Sequence, residues 1–501
     1  MKAFLMYRDH DFELQLKLSS NEKARIKDLE LNTLFNAMAL DDKILFEVAR
    51  KAILSNLDDL DTIRYRQAIL KDCLKNSSII KDIYSIAIEA IENKRSSYYY
   101  ILSKYPGSIL HGSIETLQML VGLLKKLKKI ADEHADKFES EGFTAVFSML
   151  KKELDDEYFT RVQNHLRELK FRNGVLISAE LGKGNEGAHY LLRKPQNKKQ
   201  SWMERIFTKK PPVYTFRIAD RDESGARALS ELRNRGINFV ANALAQSADH
   251  ILGFFNMLHI ELAFYIGCLN LHGQLAQIGG PLSFPIPAAS DERRHSFQGL
   301  YDVCLALTMK HQIVGNDANA DNKNLVIITG ANQGGKSTFL RSIGLAQLMM
   351  QCGMFVPAES FCSNVCDSLF THYKREEDTT MNSGKLDEEL SRMSDIVDDI
   401  TSNSMLLLNE SFAATNEREG SEIARQINCA LLEKQVKIFF VTHSYEFAHG
   451  FYEKKLEKAI FLRAERKTDG KRTFKIIKGE PLQTSYGEDV YNRIFVESVP
   501  S

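Results

Sequence analysis

Residues 329–338, TGANQGGKST, have the types and spacing needed to hold a phosphate chain. Their pattern is G-x-x-x-x-G-K-[ST], and they directly follow the apolar run at residues 325–328. Glycines let backbone N–H groups close around phosphates in conformations that a Cβ would block. The pattern assigns Lys336 to the β- and γ-phosphates and Ser337 to Mg²⁺. The predicted nucleotide-binding residues are Gly330, Ala331, Asn332, Gln333, Gly334, Gly335, Lys336, Ser337 and Thr338.

Two apolar strands further along the chain end in polar residues that could complete a hydrolytic site. Residues 405–410 read MLLLNE, and residues 438–443 read IFFVTH. In P-loop ATPases the first such strand normally ends in an Asp that holds hydrated Mg²⁺, often followed by a Glu that polarises the attacking water. Here Asn409 replaces that Asp, Glu410 takes the place of the base, and His443 is placed to sense the γ-phosphate. We predict Ser337 and Asn409 as metal ligands, and Glu410 and His443 as catalytic residues.

A third motif lies between the loop and these strands, in residues 381–397, MNSGKLDEELSRMSDIV. A small residue and a glycine precede three acids and apolar residues at helical spacing, which is typical of a helix start. In ABC-type ATPases a Ser-Gly turn at this position touches the γ-phosphate of ATP held by the other subunit. An ordinary capped surface helix would look the same, but the order of the motifs favours a nucleotide contact by Ser383 and Gly384.

Together the motifs resemble the ATPase domain of the MutS family of DNA mismatch-repair proteins. The resemblance extends over about residues 290–495, includes Asn316-Asp317 upstream of the loop, and is fainter at residues 63–67, which resemble the start of that family's helical lever domain. The segments that carry it read TGANQGGKSTFLRSIG, GMFVP, LFTHYKREED, SGKLDEEL, LLLNESFAATNEREG, FVTHSYEF and TSYGEDV.

The resemblance implies an α/β P-loop (ABC-type/MutS) ATPase domain, together with a long all-helical lever domain that carries a small β-containing clamp insertion. It implies ATP and Mg²⁺ as cofactors. It also implies a homodimer in which composite ATP sites between two heads drive clamp-like movement on DNA, in the service of DNA repair.

Three departures from the family pattern modify these expectations. Mismatch-reading members begin with a domain carrying a Phe-x-Glu wedge and then a connector domain, whereas this chain opens almost at once into helical sequence. We therefore expect it to bind duplex or branched DNA without reading mismatches. Asn409 in place of Asp weakens the Mg²⁺ site and predicts slow turnover. Gly384 aligns with the family's trans-acting serine, which leaves Ser383 one place away.

The pattern of helices and strands divides the chain into two domains. Helical sequence runs from about residue 20 to 170, and again from 224 to about 277, and a predicted β-hairpin lies between them. Gly279-Gly280-Pro281 forms a hinge. We predict a helical core and lever domain at residues 1–285, with the β clamp inserted at about 171–216. Residues 286–501 would form the ATPase domain with a C-terminal dimerisation region.

The stretch at residues 193–210, RKPQNKKQSWMERIFTKK, is the strongest local candidate for binding nucleic acid. Clustered cations release counterions from phosphates, and an exposed aromatic ring can stack on bases. A flexible soluble loop is the alternative, and the position at the expected clamp tip favours nucleic acid. A second lysine run, at residues 125–129, is better explained as a solvated helix face. The predicted contacts are Arg193, Lys194, Lys198, Lys199, Trp202, Lys209 and Lys210.

Composition indicates a cytoplasmic protein with no membrane partner. The 66 basic and 66 acidic residues cancel, so any DNA contact must come from a local patch. The N-terminal apolar stretch is too short for a signal peptide. The apolar residues 251–267 are interrupted by Asn256, His259 and Glu261, which predicts a buried helix and not a membrane span.

Three other functions remain open at this point. The ATPase subunit of a transporter is disfavoured, because its helical arm would be far shorter. An RNA- or ribosome-associated MutS-like ATPase is an alternative, because a basic tip contacts phosphates without choosing the sugar. A nucleotide-gated scaffold with negligible turnover is another, because of Asn409.

Overall fold

The computed structural model describes residues 1–15, 21–101, 105–172, 174–194, 213–375, 384–467 and 472–482. The chain divides into two compact units, which we call the hairpin unit and the sheet unit. The hairpin unit comprises residues 1–3, 81–136 and 144–259, and the sheet unit comprises residues 4–80, 137–143 and 260–501.

The described part of residues 21–172 is almost entirely α-helical, which confirms the helical prediction for this part of the chain. Aspartates define several of the helix starts: the side chains of Asp42, Asp59 and Asp155 accept backbone N–H groups of the first turn. Each such cap stabilises its helix by about 1 kcal/mol. The helices are α1 (Glu22–Asp28), α2 (Leu31–Ala39), α3 (Lys43–Leu54), α4 (Leu60–Lys75), α5 (Ser77–Ile101), α6 (Pro106–His134), α7 (Glu141–Glu153) and α8 (Asp156–Glu168).

The hairpin unit contains the predicted β-hairpin, formed by β1 (Leu176–Leu181) and β2 (Gly187–Arg193). The strands pair antiparallel, and the connecting turn contains Gly184 at φ 74°, a conformation that favours glycine. The chain then forms a 56-residue helix, α9 (Glu223–Ile278), which confirms the predicted return to helix. The hairpin packs against the first part of this helix. Ile177 lies so close to Gly236 of α9 that a Cβ there would come within 2.3 Å of it. A larger residue at position 236 would require the Ile177 side chain to move.

Helix α9 is long and apolar enough to cross a membrane, and it is the one such helix among the described residues. However, 72% of its apolar 18-residue window is buried inside the protein. Two of its buried polar residues have partners within the protein. The ring of His259 stacks on Tyr84, and the Glu261 carboxylate accepts the backbone N–H groups of Leu5 and Phe12 at 2.5 and 3.1 Å. These contacts are expected of a core helix.

The sheet unit has two β-sheets with helices around them. Its strands are β3 (Ile286–Ala288), β4 (His295–Leu300), β5 (Asn316–Asn319), β6 (Leu325–Gly330), β7 (Ser360–Asn364), β8 (Leu369–Tyr373), β9 (Met405–Asn409), β10 (Lys437–Val441), β11 (Ala459–Arg466) and β12 (Arg472–Lys478). Its further helices are α10 (Val303–Met309), α11 (Lys336–Gln351), α12 (Lys385–Asp399), α13 (Glu417–Glu433) and α14 (Tyr445–Glu453).

The larger sheet has the strand order β12-β11-β6-β10-β9-β8 and is parallel except for β12, and the smaller has the order β3-β7-β4-β5. Strands β6, β9 and β10 are buried along nearly their whole length, which explains their continuous apolar sequence. In the register, Val441 lies opposite both Ile328 and Asn409. The carboxyl ends of the three strands therefore meet at one edge, where ligands of open parallel sheets bind.

The compact units differ from the domain division predicted at residue 285. Residues 4–80 belong to the sheet unit, because the N-terminal helices pack against it. For example, Gln67 donates to the carbonyl of Pro285 at 3.0 Å, and Arg341 of α11 forms an ion pair with Glu30 between α1 and α2. The predicted boundary of the functional domains stays a prediction.

Candidate nucleotide-binding site

A cavity of about 540 Å³ lies at the carboxyl edge of the large sheet. Seven of the nine predicted loop residues, from Asn332 to Thr338, line it. Glu410 and His443 line it as well, although they lie far along the chain from the loop. The other two loop residues, Gly330 and Ala331, are not among its lining residues. The structure thus brings the phosphate-binding loop together with the ends of the two apolar strands.

The loop between β6 and α11 adopts a conformation that requires its glycines. Gly330 and Gly335 have φ values of 106° and 88°. A Cβ on Gly334 would come within 2.7 Å of the Ala464 Cβ, and a Cβ on Gly330 would come within 2.9 Å of the Ala464 backbone nitrogen. Helix α11 then begins at Lys336, so its first N–H groups and the positive end of its dipole lie at the cavity.

Lys336 is buried at the centre of the loop. Its Nζ donates to the carbonyl oxygens of Gly330 and Ala331, both at 2.9 Å. Burial lowers the pKa of Lys336 to about 8, while the charge of Glu410 acts in the opposite direction and that of Arg472 adds to the lowering. A bound phosphate would place a negative charge directly beside the Lys336 ammonium. The position of Lys336 therefore suits an anionic ligand.

Ser337 and Asn409, the predicted metal ligands, contact each other. The Ser337 hydroxyl donates to Oδ1 of Asn409 at 3.0 Å. Both side chains offer neutral oxygen atoms, and Mg²⁺ accepts such ligands where phosphates and water supply the remaining coordination. Within the described residues no group of three or more His, Cys, Asp or Glu side chains could hold a metal ion. The donor set thus fits Mg²⁺ that arrives with a nucleotide.

The amide at Asn409 is expected to make Mg²⁺ binding weak. Asn409→Asp should lower the Mg²⁺ concentration needed for half-maximal ATP turnover, because a carboxylate attracts the ion more strongly than a carboxamide. Mg²⁺ titrations of steady-state turnover measure this midpoint. Gln312→Glu, which adds the same charge elsewhere on the cavity wall, should leave it unchanged. An unchanged midpoint in Asn409→Asp would show that Ser337 and the phosphates hold the ion without residue 409.

Glu410 and His443 form a hydrogen-bonded pair at the cavity, with Nε2 of His443 2.8 Å from Oε1 of Glu410. The hydrogen bond from His443 lowers the pKa of Glu410 and outweighs the opposing effect of burial, and Lys336 acts in the same direction as His443. The carboxylate is therefore ionised at neutral pH, as a base must be. Glu410 also has φ 53°, a left-handed conformation that is costly for a residue other than glycine.

Neither residue of the third motif, Ser383 or Gly384, is seen to line the cavity. Ser383 lies outside the described residues. Gly384 is exposed, precedes α12, and does not line the cavity of its own chain. No atom outside its own backbone neighbourhood lies within 4 Å of where its Cβ would be, among the residues that the structure describes. As far as the described residues go, the N-terminus of α12 is thus open at Gly384.

The cavity also has an apolar wall that sequence reasoning missed. This wall includes Tyr301, Leu305, Ile313, Val314 and Phe474. Asn316 supports it: its side chain donates to the carbonyl of Phe474 at 3.3 Å and accepts the N–H of Ile476 at 2.7 Å. The Asn316-Asp317 pair was the one sequence signal of this region, and it carried no assigned role. An apolar wall beside the phosphate loop suits a nucleoside.

Only two of the predicted nucleic-acid contacts fall within the described residues. Arg193 donates to the Ser178 hydroxyl at 2.9 Å, and the exposed Lys194 pairs with Glu168 at 2.9 Å. Lys198, Lys199, Trp202, Lys209 and Lys210 lie outside the described residues. In the other lysine run, on α6, Lys126 pairs with Glu89, Lys128 with Asp132 and Lys129 with Glu133. Pairing of this kind supports the interpretation of that run as a solvated face.

Two family models match most of the chain between them. The family described as the MutS2 N-terminal domain matches residues 58–278, and MutS domain V matches residues 326–499. The DNA mismatch repair protein MutS of Prochlorococcus marinus is 26% identical over 357 residues, which cover 69% of this chain and 35% of that protein. That of Thermotoga maritima is 34% identical over 210 residues, which cover 41% and 26%. MutS protein homolog 4 of Homo sapiens is 28% identical over 239 residues, which cover 47% and 25%. The chain thus spans about a third or less of the length of these relatives.

Proposed function

The chain belongs to the MutS family, and from this premise we propose that it is an ATP-dependent DNA-binding protein that hydrolyses ATP. The observation that carries the proposal is the single cavity that joins the glycine-rich loop, Lys336, and the Glu410–His443 pair. Domain V, which contains this cavity's loop and the Glu410–His443 pair, is the ATPase domain of the family.

The proposed reaction is in-line attack of water on the γ-phosphate. Lys336 and the loop N–H groups bind the phosphates, and the apolar wall with Phe474 contacts the nucleobase of ATP. Ser337 and Asn409 would hold Mg²⁺, which would supply positive charge against the β- and γ-phosphates. Glu410 accepts the proton of the attacking water, and His443 orients the carboxylate through their 2.8 Å contact. The ionised state of Glu410 supports this role.

We propose that each site is completed by a second copy of the chain. Gly384 at the N-terminus of α12 is exposed and does not reach the cavity of its own chain. The helix N-terminus is a natural partner for a phosphate. A symmetric dimer would bring the α12 N-terminus of each copy to the γ-phosphate of the other, so that ATP holds the two heads together.

The proposed ligand is duplex or branched DNA, contacted through phosphates by the basic stretch at residues 193–210. Phosphate contacts position a protein on DNA without reading its sequence, so no preference for a mismatch is expected. ATP-driven closure of the heads would then move the helical arms around the DNA. DNA duplexes, branched DNA, single strands and RNA duplexes, each added to the ATPase assay, test the ligand. Stimulation by RNA alone would identify an RNA-associated ATPase, and absence of turnover in every condition would identify a nucleotide-gated scaffold.

Charge reversal in the basic stretch should weaken DNA binding. Replacing Lys198, Lys199, Lys209 and Lys210 with Glu should lower affinity for all DNA sequences. It should also flatten the salt dependence by up to roughly one unit of log–log slope for each DNA phosphate that is no longer neutralised. ATPase activity without DNA should survive. Binding is measured by fluorescence anisotropy over a range of salt concentrations.

The control variant reverses the same number of charges on α6, at Lys125, Lys126, Lys128 and Lys129. Three of these lysines already form ion pairs with acids on the helix face, so DNA binding should change little. Such pairs contribute little to stability, so the variant should fold. An unchanged salt slope in the first variant would contradict the assignment of the basic stretch. A G·T mismatch bound much more tightly than homoduplex would contradict the absence of mismatch reading.

A further inference from the structure

His372, near the end of β8, contacts two elements of the sheet unit that the proposed hydrolysis requires. The side chain is fully buried. Its Nε2 lies 3.0 Å from the carbonyl oxygen of Glu389 in α12, and its Nδ1 lies 2.8 Å from Oγ of Ser411. Ser411 directly follows Glu410. One imidazole therefore connects the helix that begins after Gly384 with the loop that carries the proposed base.

The hydrogen atoms in these contacts follow from the chemistry of the partners. A carbonyl only accepts, so Nε2 of His372 carries a hydrogen and donates it to Glu389. Burial, and after it the charge of Arg392, lowers the pKa of His372 to about 4. The ring is therefore neutral at pH 7, and Nδ1 accepts. Because Ser411 Oγ also lies 2.6 Å from the His372 carbonyl, its single hydroxyl hydrogen has two acceptors, both on His372.

Two further contacts attach the same loop to its surroundings. The ring of Phe412 stacks on His372, with centroids 5.4 Å apart. The carboxyl group of Glu389 interacts with the backbone N–H of Phe412. Glu410 and Phe412 have φ values of 53° and 65°, and such conformations persist only where surrounding contacts hold them. The contacts from β8 and α12 therefore help to hold the loop that carries Glu410 in this conformation, together with the backbone hydrogen bond from Glu410 to Val441 and the His443 contact.

We infer that His372 is a positioning residue that couples α12 to Glu410, so that engagement of the α12 N-terminus sets the orientation of the proposed base. The inference rests on the proposed function and adds a route for regulation. When the N-terminus of α12 meets the phosphate in the partner's site, any shift of the helix acts on Glu389. His372 transmits it to Ser411, and thus to the ATP site of its own chain. Hydrolysis at one site would then depend on closure at the other.

Two variants break the connection from opposite sides. His372→Phe keeps an aromatic ring against Phe412 and removes both hydrogen bonds, whereas Ser411→Ala removes the hydroxyl. Each should lower kcat by about 10- to 100-fold, since small misplacements of a reacting group cost this much. The dissociation constant for ATP should change by less than about twofold, because neither residue lines the phosphate loop. The double variant should be no slower than the slower single variant, because both remove the same connection.

Coupling between sites predicts a particular dependence of turnover on protein concentration, which a purely structural role of His372 would not affect. In the parent protein, turnover per chain should rise with protein concentration as dimers form. His372→Phe should lower the plateau and leave the midpoint concentration unchanged. His372→Gln, which retains a donor near the position of Nε2, should recover part of the plateau. Steady-state turnover over a range of protein concentrations measures the plateau and the midpoint, and fluorescent-nucleotide binding measures the affinity for ATP.

Phe370→Leu is the matched control, because Phe370 is a buried residue of the same strand whose side chain packs in the hydrophobic core of the large sheet. It should lower the melting temperature without changing kcat. A parent-like kcat in both His372→Phe and Ser411→Ala would overturn the inference, and so would a loss of kcat in Phe370→Leu as large as that in His372→Phe. Glu410→Gln distinguishes failure of the coupling from failure of the proposed hydrolytic mechanism. If Glu410→Gln is inactive while His372→Phe has the parent activity, only the coupling is wrong. If Glu410→Gln is fully active, the proposed hydrolytic mechanism itself fails.

Discussion

Glu410→Gln is expected to bind ATP and to lose its hydrolysis, whereas Lys336→Ala is expected to lose ATP binding itself. Glu410 is required only when water attacks, so its removal should slow turnover by about 10²- to 10⁴-fold. Lys336 acts in the ground state, where its buried ammonium lies at the centre of the loop. Loss of a charged hydrogen-bonding group of this kind should weaken ATP binding by roughly 100-fold. Nucleotide-binding titrations and steady-state turnover separate the two effects.

Two control substitutions remove the same functional groups away from the cavity. Glu422→Gln alters an exposed carboxylate of α13 that pairs with Arg425. Lys323→Ala alters a partly exposed lysine that donates to the Glu457 carbonyl. Both should leave binding and turnover unchanged. Hydrolysis at the parent rate in Glu410→Gln would show that the base is assigned to the wrong residue.

Gly384→Arg is expected to prevent an ATP-stabilised dimer while leaving the fold intact. Gly384 has φ −63° and ψ 154°, which any L-residue adopts, and its surroundings within the described part of the chain are open. The arginine should therefore be tolerated in the single chain. In the proposed closed dimer it would fill the space between the α12 N-terminus and the partner's nucleotide. In a Glu410→Gln background, where ATP persists, we expect dimer affinity to fall by at least about 100-fold, because a steric clash at the centre of an interface removes its main contacts.

Sedimentation velocity with and without ATP measures this change. Gly122→Arg is the matched control, because Gly122 is an exposed glycine of α6 with the same open surroundings. It should dimerise like the parent protein. A monomer carrying bound ATP under every condition would rule out the composite site. Dimerisation of Gly384→Arg at the parent affinity would place the interface elsewhere.

Local patterns predicted the individual elements of this protein well. The apolar runs before residues 330, 409 and 442 became β6, β9 and β10, because strands buried on both faces need continuous apolar sequence. The residues GKGNEG between two short strand patterns became a hairpin turn. The helical period after residue 223 continued through all of α9. These features depend on neighbours in sequence, so they could be recognised without the structure.

Other features depend on residues that meet only in the folded chain. The apolar wall near Phe474 joins segments more than 150 positions apart, and no local pattern marks such a wall. The packing of residues 4–80 with the sheet unit moved the compact division away from residue 285 for the same reason. His372 had the appearance of an ordinary strand residue until its contacts with Ser411 and Glu389 placed it between the helix and the base.

By itself, the sequence determined which chemistry this chain has at its disposal: a glycine-rich loop with Lys336 and Ser337, an amide at Asn409, and the Glu410 and His443 side chains. These side chains, and the backbone freedom of glycine, are properties of single residues and short patterns. Only the tertiary structure decided that the loop, Glu410 and His443 share one cavity, that Ser337 touches Asn409, and that Gly384 lies outside that cavity. The register of the parallel strands sets these distances, and that register is the outcome of burying both faces of the whole sheet at once.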